Sequence, residues 1–281
     1  MRPLERLAAA TLLALLGACT SATAVGVRRE SVPSEAMSRP WPAMVVLPGD
    51  YDASPEKRYP VIYLLHGAGG DQHSWLRSSQ LKRFVGAHDV ICVSPFGRTY
   101  GWYVDSPLIA TSQLETFLLT ELIPHVDATY RTRPAAATRA IMGFSMGGHG
   151  ALTLAARHPD VFCSASSIAG IMELSRWPDN WNIASVLGPR DANRERWDAA
   201  SAMAHAKRFT DSAKRVRIMT DCGFDDFAYP ENVAFHELLE RLGVEHEFAE
   251  RPGAHNYKYW TSVVTEHLEF HMASFEREGP R

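Results

Sequence analysis

The sequence predicts an α/β architecture, a mostly parallel sheet covered by helices on both faces, and three observations carry that expectation. Apolar stretches suited to strands, at 43–47, 61–65, 90–94, 139–144, 164–169, 216–221 and 245–249, alternate with helical stretches. One of them ends in Gly143-Phe144-Ser145-Met146-Gly147, a G-x-S-x-G run, and a helix of small and branched residues (Ala151, Leu152, Leu154, Ala155, Ala156) follows at once. The 281 residues also leave, after a short leader, a length that suits one α/β domain, and they contain no internal repeat.

At the N-terminus, Arg2 and Arg6 flank the start of an apolar run, 7–16, which closes on Leu16-Gly17-Ala18-Cys19. This is a secretory leader ending in a lipobox-like tetrapeptide, so residues 1–18 are expected to be removed and Cys19 to become an acylated N-terminus. The run is too short, and too soon followed by polar residues, to span a bilayer. The expectation is an exported protein anchored to a membrane by lipid, periplasmic or at the cell surface. Release of a soluble protein by a plain leader is the alternative. Residues 19–40 are small and polar and read as a tether, with the domain over 41–281.

The strand at 61–65 opens into His66-Gly67-Ala68-Gly69-Gly70, a loop whose backbone N–H groups suit an oxyanion. A phosphate cradle is the competing reading, but no G-x-x-x-x-G-K-[ST] pattern follows. Next, Ser112-x-x-Glu115 reads as a capping box opening a helix to about residue 130, which Pro124 is expected to kink.

The run around Ser145 has the form of a nucleophile elbow. A turn so sharp leaves no room for side chains two residues either side of the serine, hence Gly143 and Gly147. Ser145 is the candidate nucleophile, and the N–H groups of Met146 and Ala68 are the candidate oxyanion donors. Between 171 and 214 the pattern loosens, with Trp177, Trp181 and Trp197 among prolines and charges. That stretch reads as a lid or substrate-selecting insertion, or as a surface excursion of helices.

An acid is expected where the strand at 216–221 reaches its turn. Asp226 is preferred, Asp225 competes, and Asp221 lies inside the strand. A general base must follow it in the chain. His255 fits, placed just after Pro252-Gly253 breaks the strand at 245–249. Most other histidines are expected at the surface; His236, His267 and His271 fall in helical segments, and His158 precedes a proline.

Together these motifs resemble the esterase D (tributyrin-type esterase) family of α/β-hydrolases, whose relatives include S-formylglutathione hydrolases, feruloyl esterases and mycolyl transferases. The likeness covers nearly the whole mature chain. It rests on Tyr63-Leu64-Leu65-His66-Gly67 with Trp75, Gly101-Trp102-Tyr103-Val104-Asp105 and Glu121-Leu122-Ile123-Pro124-His125-Val126. It continues in Gly143 to Gly148, Arg157-His158-Pro159-Asp160-Val161-Phe162, Cys222-Gly223-Phe224-Asp225-Asp226-Phe227 and Pro252-Gly253-Ala254-His255.

The resemblance implies an α/β-hydrolase fold and a triad of Ser145, Asp226 and His255, selecting the second aspartate of the pair. It also implies that Trp102 and Tyr103 wall the substrate pocket, with simple packing as the competing role. Ala254 departs from the family's more common glycine. The implied activity is a serine carboxylesterase acting on short-chain acyl or feruloyl-type esters, of small molecules or polysaccharides, through an acyl-enzyme. Acyl transfer to a sugar hydroxyl, or a non-catalytic lipoprotein binding module, are the alternatives.

Other classes find no support in the sequence. A formal charge of −3 with acidic and basic residues scattered along the chain offers nothing to nucleic acid. No H-E-x-x-H or C-x-x-C pattern implies a metal, and the chemistry requires no cofactor. Cys92, Cys163 and Cys222 are an odd set in apolar surroundings, so no structural disulfide is expected.

Overall fold

Eight strands form one sheet among the described residues of the computed structural model, 25–211 and 216–277. They are β1 (Gly26–Val32), β2 (Trp41–Leu47), β3 (Val61–Leu65), β4 (Ile91–Pro95), β5 (Arg139–Phe144), β6 (Ser164–Ile168), β7 (Arg217–Gly223) and β8 (Glu247–Arg251). The spatial order is β1-β2-β4-β3-β5-β6-β7-β8. β2 pairs antiparallel with both β1 and β4, and from β4 to β8 every pairing is parallel. The expected leader and Cys19 lie outside the described residues.

The central strands are buried on both faces, and their side chains alternate between two cores as a period of two requires. Val45, Val61, Tyr63, Ile91, Val93 and Ile141 face one core, which also takes Ala151, Leu152, Leu154 and Ala155 of the helix Met146–Arg157. Val46, Ile62, Leu64, Cys92, Ala140 and Met142 face the other. That second core is closed by Leu81, Phe84 and Val85 of the helix Ser79–Ala87 and by Val263, Val264 and Leu268 of the terminal helix Tyr257–Arg277. Cys92, Cys163 and Cys222 are buried thiols on or beside three different strands.

Three expectations need correction. The stretch 19–40 is not simply a tether: β1 lies within it, in full register with β2 from Gly26↔Leu47 to Val32↔Trp41. Its middle residues, Arg28 and Arg29, are exposed, because an edge strand is held by backbone hydrogen bonds and needs no apolar face. The capping box at Ser112 does not form. The helical segment starts at Leu114, and the carboxylate of Asp105 accepts from both the N–H (3.0 Å) and the hydroxyl (2.6 Å) of Thr116. The irregularity expected at Pro124 is a π turn, Phe117–Leu122, after which the proline sits in the first turn of Ile123–Thr129, where its missing N–H costs least.

The described part of the excursion, residues 171–211, is packed down and not a flap. Its short helices Ile183–Leu187, Arg194–Ala200 and Ala202–His205 bury Ile183, Val186, Leu187 and Trp197 in the core shared with the elbow helix. Trp177 and Trp181 on its rim are half-buried. The carboxyl ends of the parallel strands matter because β4 and β5 lie on opposite sides of β3. The crevice there is a topological switch point, where open α/β sheets place their ligands.

Candidate active site

Ser145 closes β5 and caps the helix Met146–Arg157 with φ 55° and ψ −120°, a backbone state that an L-residue adopts only when its surroundings enforce it. Its N–H bonds to the Ile168 carbonyl at 2.9 Å, and its own carbonyl accepts from His149 N–H at 3.0 Å. The flanking glycines are required sterically. A Cβ on Gly147 would lie 2.1 Å from the Leu65 carbonyl oxygen, and one on Gly143 would lie 2.3 Å from the Gly147 backbone.

The acid and base loops, which follow β7 and β8, are laced together by Phe224 N–H to Arg251 C=O and Asp225 N–H to Gly253 C=O, both 2.9 Å. This lacing brings His255 between two partners. Its Nδ1 stands 2.9 and 2.8 Å from the two carboxylate oxygens of Asp226, and its Nε2 stands 2.9 Å from Ser145 Oγ. An ionised carboxylate only accepts, so Nδ1 carries the proton and Nε2 is left to accept from the serine hydroxyl. Asp226 is buried and also accepts from Ala228 N–H at 2.8 Å, which fixes its orientation. Asp225, its competitor in the sequence, is exposed. The imidazole is flanked by Phe227 (centroids 4.4 Å apart) and by the edge-on Trp260 (5.3 Å).

The loop after β3 faces the elbow. Gly69 N–H is taken by Thr99 C=O at 2.8 Å and Gly70 N–H by Gly67 C=O at 3.1 Å. Among the described residues no protein acceptor takes the N–H of Ala68 or of Met146, the latter being the first residue of a helix and unpaired by helix geometry. His66, whose importance the sequence did not signal beyond its place before the glycines, organises this loop. Its Nε2 accepts from Gly97 N–H at 2.9 Å, so its Nδ1 is the protonated nitrogen and donates to Gly67 C=O at 2.8 Å. Burial pushes its pKa down to about 4, which keeps the ring neutral and this pairing intact.

Trp102 and Tyr103 do not line an open pocket; they are 0% and 1% exposed. Tyr103 donates its hydroxyl to His66 C=O at 3.0 Å, and its ring fills the space that a Cβ on Gly150 would need, 2.6 Å away. Trp102 donates Nε1–H to Trp181 C=O at 3.1 Å and packs edge-on against His149. Both residues hold positive φ, 55° and 56°, so the segment turns its aromatic rings inward beneath the elbow helix. The rings that do stand at the site came from elsewhere: Phe227, 43% exposed, with Trp177 and Trp181 against it. No group of His, Cys, Asp and Glu among the described residues is arranged to hold a metal ion.

A protein-family model described as a putative esterase matches residues 34–271. Esterase Rv1288 of Mycobacterium tuberculosis is 34% identical over 243 residues, which cover 76% of this chain and 52% of that protein. The chain therefore spans about half the length of that relative. Among solved structures, a ferulic acid esterase is 28% identical, with a TM-score of 0.79 over 90% of this chain and 99% of its own. An S-formylglutathione hydrolase from Staphylococcus aureus, 19% identical, has a TM-score of 0.76 over 88% of this chain and 98% of its own. These likenesses and the strand order establish the α/β-hydrolase fold.

Proposed function

The chain belongs to the esterase family matched over residues 34–271, and from that premise we propose that it is a serine carboxylesterase working through an acyl-enzyme. One observation carries the proposal: a single imidazole, that of His255, bridges Ser145 Oγ and the buried Asp226 carboxylate. In this reading Ser145 Oγ attacks the ester carbonyl carbon while its proton passes to His255 Nε2. The carbonyl oxygen becomes an oxyanion facing the N–H groups of Ala68 and Met146. Asp226 stays ionised and stabilises the imidazolium. Collapse breaks the ester C–O bond, and the leaving alcohol takes the proton from His255. Water then repeats the sequence on the acyl-serine and frees the acid.

The substrates we propose are short-chain acyl or feruloyl-type esters, on small molecules or polysaccharides. Support comes from the aromatic rim of Trp177, Trp181 and Phe227 beside His255, and from the 28% identity to a ferulic acid esterase. We further propose that the leader and Cys19 place the enzyme on a membrane after export; incorporation of labelled palmitate into the wild type, lost in Cys19→Ser, checks this.

The test of the activity is hydrolysis of p-nitrophenyl esters from acetate to palmitate, and of methyl ferulate, by residues 20–281 with and without Ser145→Ala. Turnover of short or feruloyl esters that the substitution reduces by about three orders of magnitude or more is the expected result. No turnover of any ester by a folded protein, together with no labelling of Ser145 by a fluorophosphonate, would sink the proposal.

A further inference from the structure

Five residues beyond Asp226, in the first turn of the helix Tyr229–Arg241, Glu231 is buried, 3% exposed, although it takes no part in the proposed chemistry. Both its oxygens are spoken for by donors of a single neighbouring segment. Oε2 accepts from the N–H groups of Met172 (3.1 Å) and Glu173 (2.9 Å), and Oε1 accepts from Trp177 Nε1 at 3.0 Å. The next residue, Asn232, adds a bond from Nδ2 to Gly170 C=O at 2.9 Å. The segment leaving β6 is thus clasped by the helix that follows the acid loop.

What the clasp holds in place is the aromatic rim. Trp177 packs against Trp181 (5.2 Å between centroids) and meets Phe227 edge-on (5.3 Å), Trp181 stacks on Phe227 (5.5 Å), and Phe227 lies 4.4 Å from the His255 ring. Burial alone would not place a carboxylate here, because desolvation opposes the charge and moves its pKa up to about 7. Three converging donors offset part of that cost.

Resting on the esterase reading, we propose that Glu231 is a positioning residue: it fixes Trp177 so that the rim beside His255 presents a continuous apolar surface to the substrate. The consequence is selectivity for esters with a broad aromatic or apolar group over acetyl esters, expressed in KM.

Glu231→Gln isolates the contact. One amide oxygen still accepts the two backbone N–H groups, while the amide NH₂ now faces the indole N–H, donor against donor. The expected result is a fall of about five-fold in the ratio of kcat/KM for methyl ferulate to that for p-nitrophenyl acetate, carried by KM. In a Trp177→Phe background, which lacks the indole donor, the same substitution should change the ratio less than two-fold, roughly, as a double-mutant cycle requires for a direct contact. In protein labelled with 5-fluorotryptophan, Glu231→Gln should shift the resonance that Trp177→Phe deletes. Equal losses on both esters, a change confined to kcat, or an effect undiminished by Trp177→Phe would overturn the proposal. An unshifted fluorine resonance would do so independently of activity. A wild type inactive on every ester defeats the esterase reading and the selectivity role with it, while the fluorine spectra still decide whether the clasp exists.

Discussion

Replacing His267 with leucine should stabilise this protein, and more so in acid. His267 lies on the terminal helix beside Val264 and Leu268, is 0% exposed, and neither ring nitrogen has a hydrogen-bond partner among the described residues. Burial, reinforced by the charge of Arg251, pushes its pKa down to about 3. A buried polar group without a partner costs about 1–3 kcal/mol, so leucine, an apolar side chain of similar volume, should add roughly that much at pH 8. The pH dependence follows from the direction of the shift. As pH falls below the unfolded value of about 6.5, the unfolded chain binds a proton at this position and the native protein does not, so wild-type stability declines. At pH 5, about 1.5 units below that value and well above the native value of about 3, the loss is about 2 kcal/mol. The advantage of His267→Leu should therefore grow by about 2 kcal/mol between pH 8 and pH 5. Asp221 and Glu231, whose pKa values burial raises to about 6 and about 7, act with the opposite sign, but equally in both proteins. Urea unfolding followed by tryptophan fluorescence at the two pH values measures the difference. A variant less stable than wild type, or an advantage flat with pH, would refute the reasoning by showing that His267 has a partner or is charged in the native state.

Other outcomes follow from the site. Gly147→Ala puts a Cβ 2.1 Å from the Leu65 carbonyl, so the elbow and β3 must separate; both thermal stability and fluorophosphonate labelling of Ser145 should fall sharply. Tyr103→Phe removes the bond to His66 C=O and should cost about 1–2 kcal/mol in urea unfolding, yet leave KM for esters within about two-fold, since the ring has no open face. His66→Ala releases both Gly67 and Gly97 from their hold on the oxyanion loop; kcat should drop by about ten-fold or more with KM little changed, as for a loss felt in the transition state.

The sequence made legible what is encoded locally. β3 and β5 fall on their expected residues because a buried parallel strand is a short apolar run between breakers, and Ser145 was exposed by glycines whose side chains have nowhere to go. Chain order and turn chemistry narrow the acid to Asp225 or Asp226 and point to His255, the family resemblance selects Asp226, and the structure brings Asp226 and His255 to Ser145. What failed depends on partners distant in sequence. β1 has no apolar face to announce it, and its identity comes from β2 alone. Ser112 has the spelling of a cap, but Asp105 arrives from a preceding turn to meet the helix start. Five histidines, His66, His149, His205, His267 and His271, are buried, which nothing in their residue type advertises. Some of them are there because they hydrogen-bond to residues far along the chain, as His271 does to Ser164 and Ser166. Trp102 and Tyr103 turn inward because of positive φ values that no residue type in that stretch advertises.

β1 bears on how the molecule behaves in a crowded solution. Behind it lies β2, Trp-Pro-Ala-Met-Val-Val-Leu, whose residues are almost wholly buried. Stripped of its neighbour, β2 would offer a flat apolar row with a free ladder of N–H and C=O groups, an open template for strands of other chains. The exposed Arg28 and Arg29 on β1 replace that template with a charged border. Residues that precede the stretch matched by the family model thus act as the hem of the sheet along its β2 side, where a charged strand covers an apolar one.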